Sequence, residues 1–178
     1  MDSLRRHVLM SREEFIKEAV GIVSRARDRG IVLRILGATA IYIHSLHCED
    51  AMLTYSRLGR LEDNKETIFT DLDLIGYSSQ KKEIAKFFEL ELKFKFHPQM
   101  KVLLGGGRFI YFHPEDYYHV DIFFDKLDYS HTIYFGNSPN KGRLELDFPT
   151  ISLADLVLEK LQIHDITRKD LIDLIVLF

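Results

Sequence analysis

The segment Phe69-Thr70-Asp71-Leu72-Asp73-Leu74-Ile75 constrains the fold of this chain more than any other. Side chains alternate along an extended strand, so Asp71 and Asp73 point one way while Leu72 and Leu74 face a core. Two acids side by side repel each other and are poor strand formers, so the pattern needs a counter-charge. A strand edge whose acids meet lysines is one solution. A hard divalent cation is another: Mg2+ prefers oxygen ligands and is often held by one or two carboxylates plus substrate phosphates.

A second segment repeats the design. In His119-Val120-Asp121-Ile122-Phe123-Phe124, alternation sets Asp121 opposite Val120, Ile122 and Phe124. If the two strands pair side by side, Asp121 completes a three-carboxylate cluster able to hold two metal ions about 3.5–4 Å apart. Otherwise it is an acid hydrogen-bonded at a sheet edge. A third piece, Gly37-Ala38-Thr39, turns the apolar run Ile31 to Leu36 into a helix spanning roughly Ala40 to His47. Glycine lets the backbone approach a ligand closely, and the helix start offers free N–H groups to a phosphate. Thr39 can add a hydroxyl.

Around these pieces the elements fall in a readable order. Ser11 with Glu14 forms a capping box ahead of a helix carrying Phe15, Val20, Ile22 and Val23, and Gly30 stops it. Cys48 to Thr67 is polar and reads as an exposed connection with some helix. Thr70 to Tyr77 is a strand, and Ser78-Ser79 caps a helix carrying Ile84, Phe87, Phe88 and Leu92. Lys101 to Leu104, Arg108 to His113 and His119 to Asp125 are three strands, the first two joined by a hairpin turn at Gly105-Gly106-Gly107. One or two more strands are expected between Thr132 and Phe148. Two helices close the chain, capped by Ser152 with Asp155 and by Thr167 with Asp170. The expected class is α+β, a mixed α/β domain built with hairpins rather than regular crossovers.

Composition narrows the setting. At 178 residues, 46% of them hydrophobic and without repeats or linkers, the chain suits a single domain over 1–178. Within it, about 31–148 form the sheet core and 152–178 the closing helices. A net charge of −3 argues against a generic nucleic-acid coat, while leaving room for local basic patches. Cys48 is the single cysteine, which excludes a disulfide framework and a cysteine-rich zinc module. With no apolar run near the roughly 20 residues of a membrane span, the default is a soluble cytoplasmic domain without membrane contact.

Taken in order, Gly37-Ala38-Thr39, Asp71-x-Asp73 and Val120-Asp121-Ile122 resemble the nucleotidyltransferase superfamily related to DNA polymerase beta. The tail extends the likeness. Leu156-Val157-Leu158-Glu159-Lys160-Leu161, then Arg168-Lys169-Asp170-Leu171-Ile172-Asp173-Leu174, are similar to the later motif of the AbiEii-type toxin branch. Gly37-Ala38-Thr39-Ala40 is likewise similar to that branch's Gly-Gly-Thr-Ala. Ala38 departs from the superfamily's usual glycine or serine, which removes one side-chain hydroxyl from the triphosphate site.

The resemblance implies a nucleotidyltransferase fold: a small mixed sheet flanked by helices, with a short C-terminal helical pair. It implies transfer of a nucleoside monophosphate from an NTP to a hydroxyl of RNA or tRNA, a protein or a small molecule. Asp71, Asp73 and Asp121 would be catalytic and would bind two Mg2+ ions, with Mn2+ as a substitute. Gly37, Ala38, Thr39, Lys160 and Asp170 would bind the nucleotide, and a toxin-antitoxin context would add an antitoxin partner. The competing reading is a catalytically inactive nucleotide- or partner-binding module of the same fold.

Lys160 has its own argument. At 100° per residue it projects between Leu156 and Val157, inside the apolar stripe, so it must snorkel, pair with an acid or face a cleft. Asp170 doubles as the reciprocal acid of the Thr167 cap. His44 and His47 beside Cys48 lack a metalloprotease pattern and read as ordinary histidines. Gly105-Gly106-Gly107-Arg108 lacks a P-loop ending, yet can border the cleft with Arg108 near a phosphate. The aromatic stretch Phe109 to Tyr118 reads as packing. Leu171 to Phe178 is apolar nearly all round, so its helix is expected to be buried, to meet a partner, or to lead into further chain.

Overall fold

The computed structural model describes residues 10–60, 69–96 and 107–178. Helix α1, Arg12–Arg27, starts at the expected capping box: Ser11 Oγ accepts from the Glu14 N–H, and the Glu14 carboxylate accepts from the Ser11 N–H. Phe15, Ala19, Ile22, Val23 and Ala26 form its buried stripe, at the three- and four-residue spacing of one helix face. Strand β1 is Leu33–Ile35, and helices α2 and α3 are Gly37–Ser45 and Glu49–Arg57. Strand β2, Asp71–Gly76, runs into a 3-10 turn at Ser78–Gln80 and helix α4, Lys81–Lys86.

Strands β3, Lys95–Phe96, β4, Arg108–Phe112, and β5, His119–Phe124, complete one sheet in the order β1-β2-β5-β4-β3. Strands β6, Lys126–Asp128, and β7, Thr132–Tyr134, form a separate hairpin. Helices α5, Leu153–Leu161, and α6, Arg168–Leu177, close the chain. Within the five-stranded sheet β2 and β5 run parallel, and every other pairing is antiparallel. The sheet is therefore mixed, as expected.

Register decides which side chains share a face. Asp73 pairs with Asp121 and Asp71 with His119 across β2 and β5. Ile110 pairs with Asp121 and Arg108 with Phe123 across β4 and β5. Opposed residues point the same way, so Asp71, Asp73, His119, Asp121, Phe123 and Arg108 lie on one face. The other face carries Leu72, Leu74, Val120, Ile122 and Tyr111, all buried. The aromatic stretch packs as expected: Tyr111 stacks on Phe88 at 5.0 Å, and Phe94 meets Phe88 and Tyr118 edge-on.

Several local expectations need correction. Helix α2 begins at Gly37, three residues before Ala40, because glycine's positive φ lets the chain turn at once from β1. Ser78 and Ser79 make no cap for α4; they lie inside the 3-10 turn. The strand expected between Thr132 and Phe148 is present as Thr132–Tyr134, paired with Lys126–Asp128 just before that window. Of the outcomes open for the last helix, full burial is not met: α6 buries Ile172 and Asp173 and leaves Leu171 and Ile175 exposed, as is Phe178 just past its end. The expected strand at 101–104 and most of its glycine turn lie outside the described residues.

Candidate active site

The acidic face is assembled by pairing alone. Parallel strands lie about 4.8 Å apart, so the register partners Asp73 and Asp121 stand side by side, with Asp71 two residues along. Gly37 closes one end of this face. Its φ is +68°, and a β-carbon there would stand 2.9 Å from Asp73 Oδ2, so only glycine permits the approach. The Leu36 N–H also donates to the Asp73 carbonyl at 3.0 Å, tying the turn to the strand.

Burial leaves Asp73 short of counter-charge. Desolvation, then the neighbouring Asp71, pushes its pKa up to about 6, although Arg108 and Lys160 act in the opposite direction. Asp121 is 3% exposed and carries a different partner. Its Oδ2 accepts from Nη2 of Arg108 and lies 3.8 Å from Nε2 of His119, while Oδ1 is buried without a hydrogen-bond partner. Asp71 is exposed and accepts from the Thr70 hydroxyl at 2.6 Å.

The start of α2 holds an acid that the sequence motifs did not single out. The Gly37 N–H donates to Glu159 Oε2 at 3.1 Å, so a carboxylate of α5 stands at the helix start assigned to a phosphate. Burial pushes Glu159 up to about 7, with Lys160 and the Gly37 N–H opposing and Asp73 adding to the rise. Ala38 is partly exposed at this turn, whereas Thr39, the next residue of α2, is 2% exposed. Tyr129, 61% exposed, stands edge-on to Phe123 at 6.3 Å and completes the rim.

Lys160 and Asp170 come together, in a buried ionic seam. Lys160 Nζ donates to Asp170 at 3.1 Å and to Asp173 at 3.0 Å. Asp173 is wholly buried and also accepts from Arg60 Nε at 2.9 Å and the Tyr55 hydroxyl at 3.3 Å. Burial alone would lower the Lys160 pKa, but Asp173, Glu159 and Asp170 outweigh it and raise it. Asp170 completes the Thr167 capping box as well. The motif residues of the tail thus lock α3, α5 and α6 together, and Lys160 still acts on Asp73 through its charge.

Among the described residues, no three His, Cys, Asp or Glu side chains are gathered as a ready-made metal cage. The donor set nevertheless suits Mg2+, which takes hard oxygen ligands and commonly uses one or two carboxylates with substrate phosphates. Asp71 and Asp73 share a face, and Asp121 has a buried oxygen without a hydrogen-bond partner. Those three acids are the residues that would hold divalent ions.

The mixed five-stranded sheet flanked by helices is a nucleotidyltransferase fold. The same architecture appears in the crystal structure of the lincosamide antibiotic adenylyltransferase LnuA, lincomycin-bound. That match has a TM-score of 0.50 and covers 90% of this chain and 94% of that one, at 15% sequence identity. No protein-family model and no curated protein matches the chain. No helix among the described residues is long and apolar enough to cross a membrane.

Proposed function

We propose that the chain transfers a nucleoside monophosphate from a nucleoside triphosphate to a hydroxyl acceptor and releases pyrophosphate. The observation that carries this reading is the in-register pair Asp73 and Asp121, backed by Gly37 at a helix start. Asp71 and Asp73 would hold one divalent ion against the triphosphate, and Asp121 would face a second ion or the acceptor. Bound there, the metal would neutralise charge on the phosphates and polarise the reacting oxygens. The acceptor oxygen bonds to the α-phosphorus, the bond to the β-phosphate oxygen breaks, and pyrophosphate departs. A carboxylate on this face, with Asp121 the best placed, takes the acceptor proton.

The start of α2 would receive phosphate oxygens on its backbone N–H groups once Glu159 yields the Gly37 N–H. Lys160, fixed by two acids, contributes long-range positive charge rather than a free contact. The adenylyltransferase likeness supports a small hydroxylated molecule as acceptor; RNA or tRNA, a protein acceptor and an antitoxin partner rest on the sequence motifs. A catalytically inactive binding module is the second reading, favoured by Ala38 and by the Arg108 pair that already neutralises Asp121.

Label transfer tests the choice. The protein is incubated with Mg2+, each α-labelled NTP, and small hydroxylated compounds, total RNA or lysate. The enzyme reading requires a labelled product that disappears with Asp73→Ala. Absence of product, or a product indifferent to that substitution, leaves the binding module.

A further inference from the structure

Arg108 and Asp121 are each incompletely satisfied by the other. Asp121 Oδ2 takes the Arg108 guanidinium, but Oδ1 remains buried and unpaired, which is costly for a carboxylate. Arg108 Nε is likewise buried without a partner. The guanidinium lies over the Phe123 ring at 4.7 Å, and about a third of the side chain is open to solvent. Arg108 is the first residue of β4 and sits opposite Phe123, two positions from the Asp121 partner Ile110. It therefore reaches Asp121 diagonally, from the sheet rim toward the carboxylate face. A side chain so placed can swing away without disturbing the ladder.

We infer that Arg108 is an exchangeable counter-ion, neutralising Asp121 in the empty protein and moving to the triphosphate when a divalent cation takes the carboxylate. This rests on the nucleotidyl-transfer reading. A cation and a guanidinium on one carboxylate repel each other, so binding of one weakens the other. A triphosphate draws the guanidinium away, because its planar fork matches phosphate oxygens. Cation and nucleotide therefore bind cooperatively, each clearing the way for the other. Arg108 keeps Asp121 compensated between turnovers and helps hold the nucleotide during them.

Mn2+ binding followed by electron paramagnetic resonance tests the exchange, with and without a non-hydrolysable NTP analogue. Arg108→Met is expected to tighten nucleotide-free Mn2+ binding about tenfold and to weaken analogue binding in saturating Mn2+ by a similar factor. The melting temperature of the metal-free variant should fall and be recovered by Mn2+. Arg108→Lys, which keeps the charge and loses the fork, should leave Mn2+ affinity near wild type and still weaken the analogue. Unchanged or weaker Mn2+ binding in Arg108→Met overturns the exchange alone. A wild-type chain that binds neither Mn2+ nor the analogue overturns the nucleotidyl-transfer reading as well.

Discussion

A β-carbon on Gly37 would stand 2.9 Å from Asp73 Oδ2, so the turn before α2 and the acid of β2 are built as one unit. Gly37→Ala meets two obstacles: the contact itself and a φ of +68° that an L side chain rarely adopts. The left-handed conformation alone costs about 1–2 kcal/mol. Thermal unfolding should show a melting temperature lower by several degrees, and calorimetry should show loss of NTP-analogue binding. A variant that binds the analogue as wild type does would detach the turn from the site.

Asp73→Asn should separate function from stability. Asp73 is partly buried beside Asp71, and removing its charge in the metal-free protein relieves that repulsion. The metal-free protein should melt about 2–4 °C higher for each kcal/mol gained. Transfer activity should fall by about a hundredfold or more. A drop in melting temperature without loss of transfer would make the residue structural.

The contribution of Asp73 and Glu159 to the stability of the metal-free protein should decline as pH rises from about 4 to about 7. Asp73 titrates near 6 against an ordinary 3.8, and Glu159 near 7 against an ordinary 4.5. In that window the folded chain holds protons that the unfolded chain has released, so raising pH favours unfolding. Glu159→Gln should remove the upper part of the decline, and Asp73→Asn the lower part. Urea midpoints measured in chelator across this range provide the check.

Asp173→Ala should be the most destabilising of the tail substitutions. It leaves Arg60, Lys160 and the Tyr55 hydroxyl without their shared acceptor, and breaking such a buried pair costs about 3–5 kcal/mol. Urea unfolding measures it directly. A loss under about 1 kcal/mol would mean that the seam between α3, α5 and α6 relaxes freely.

Much of this was legible in the sequence because strand alternation and capping are local. Asp71 and Asp73 on one face, the Ser11 and Thr167 capping boxes, and the burial of Lys160 against an acid all follow from spacing. Pairing is not local. That Asp121 stands beside Asp73, and that Arg108 reaches Asp121, depends on a register set by strands far apart in the chain. Glu159 was hidden for the same reason: its bond to Gly37 spans 122 residues. Composition leaves the last helix open between burial, a partner and further chain, and the fold encloses only Ile172 and Asp173 of α6.

The most direct measurement is anomalous diffraction from crystals grown with Mn2+ and a non-hydrolysable NTP analogue. A Mn2+ peak coordinated by Asp71 and Asp73, with phosphate oxygens at the start of α2, is the expected result. Crystals that hold the analogue elsewhere, or a Mn2+ peak away from these two carboxylates, would contradict a nucleotide site on this face.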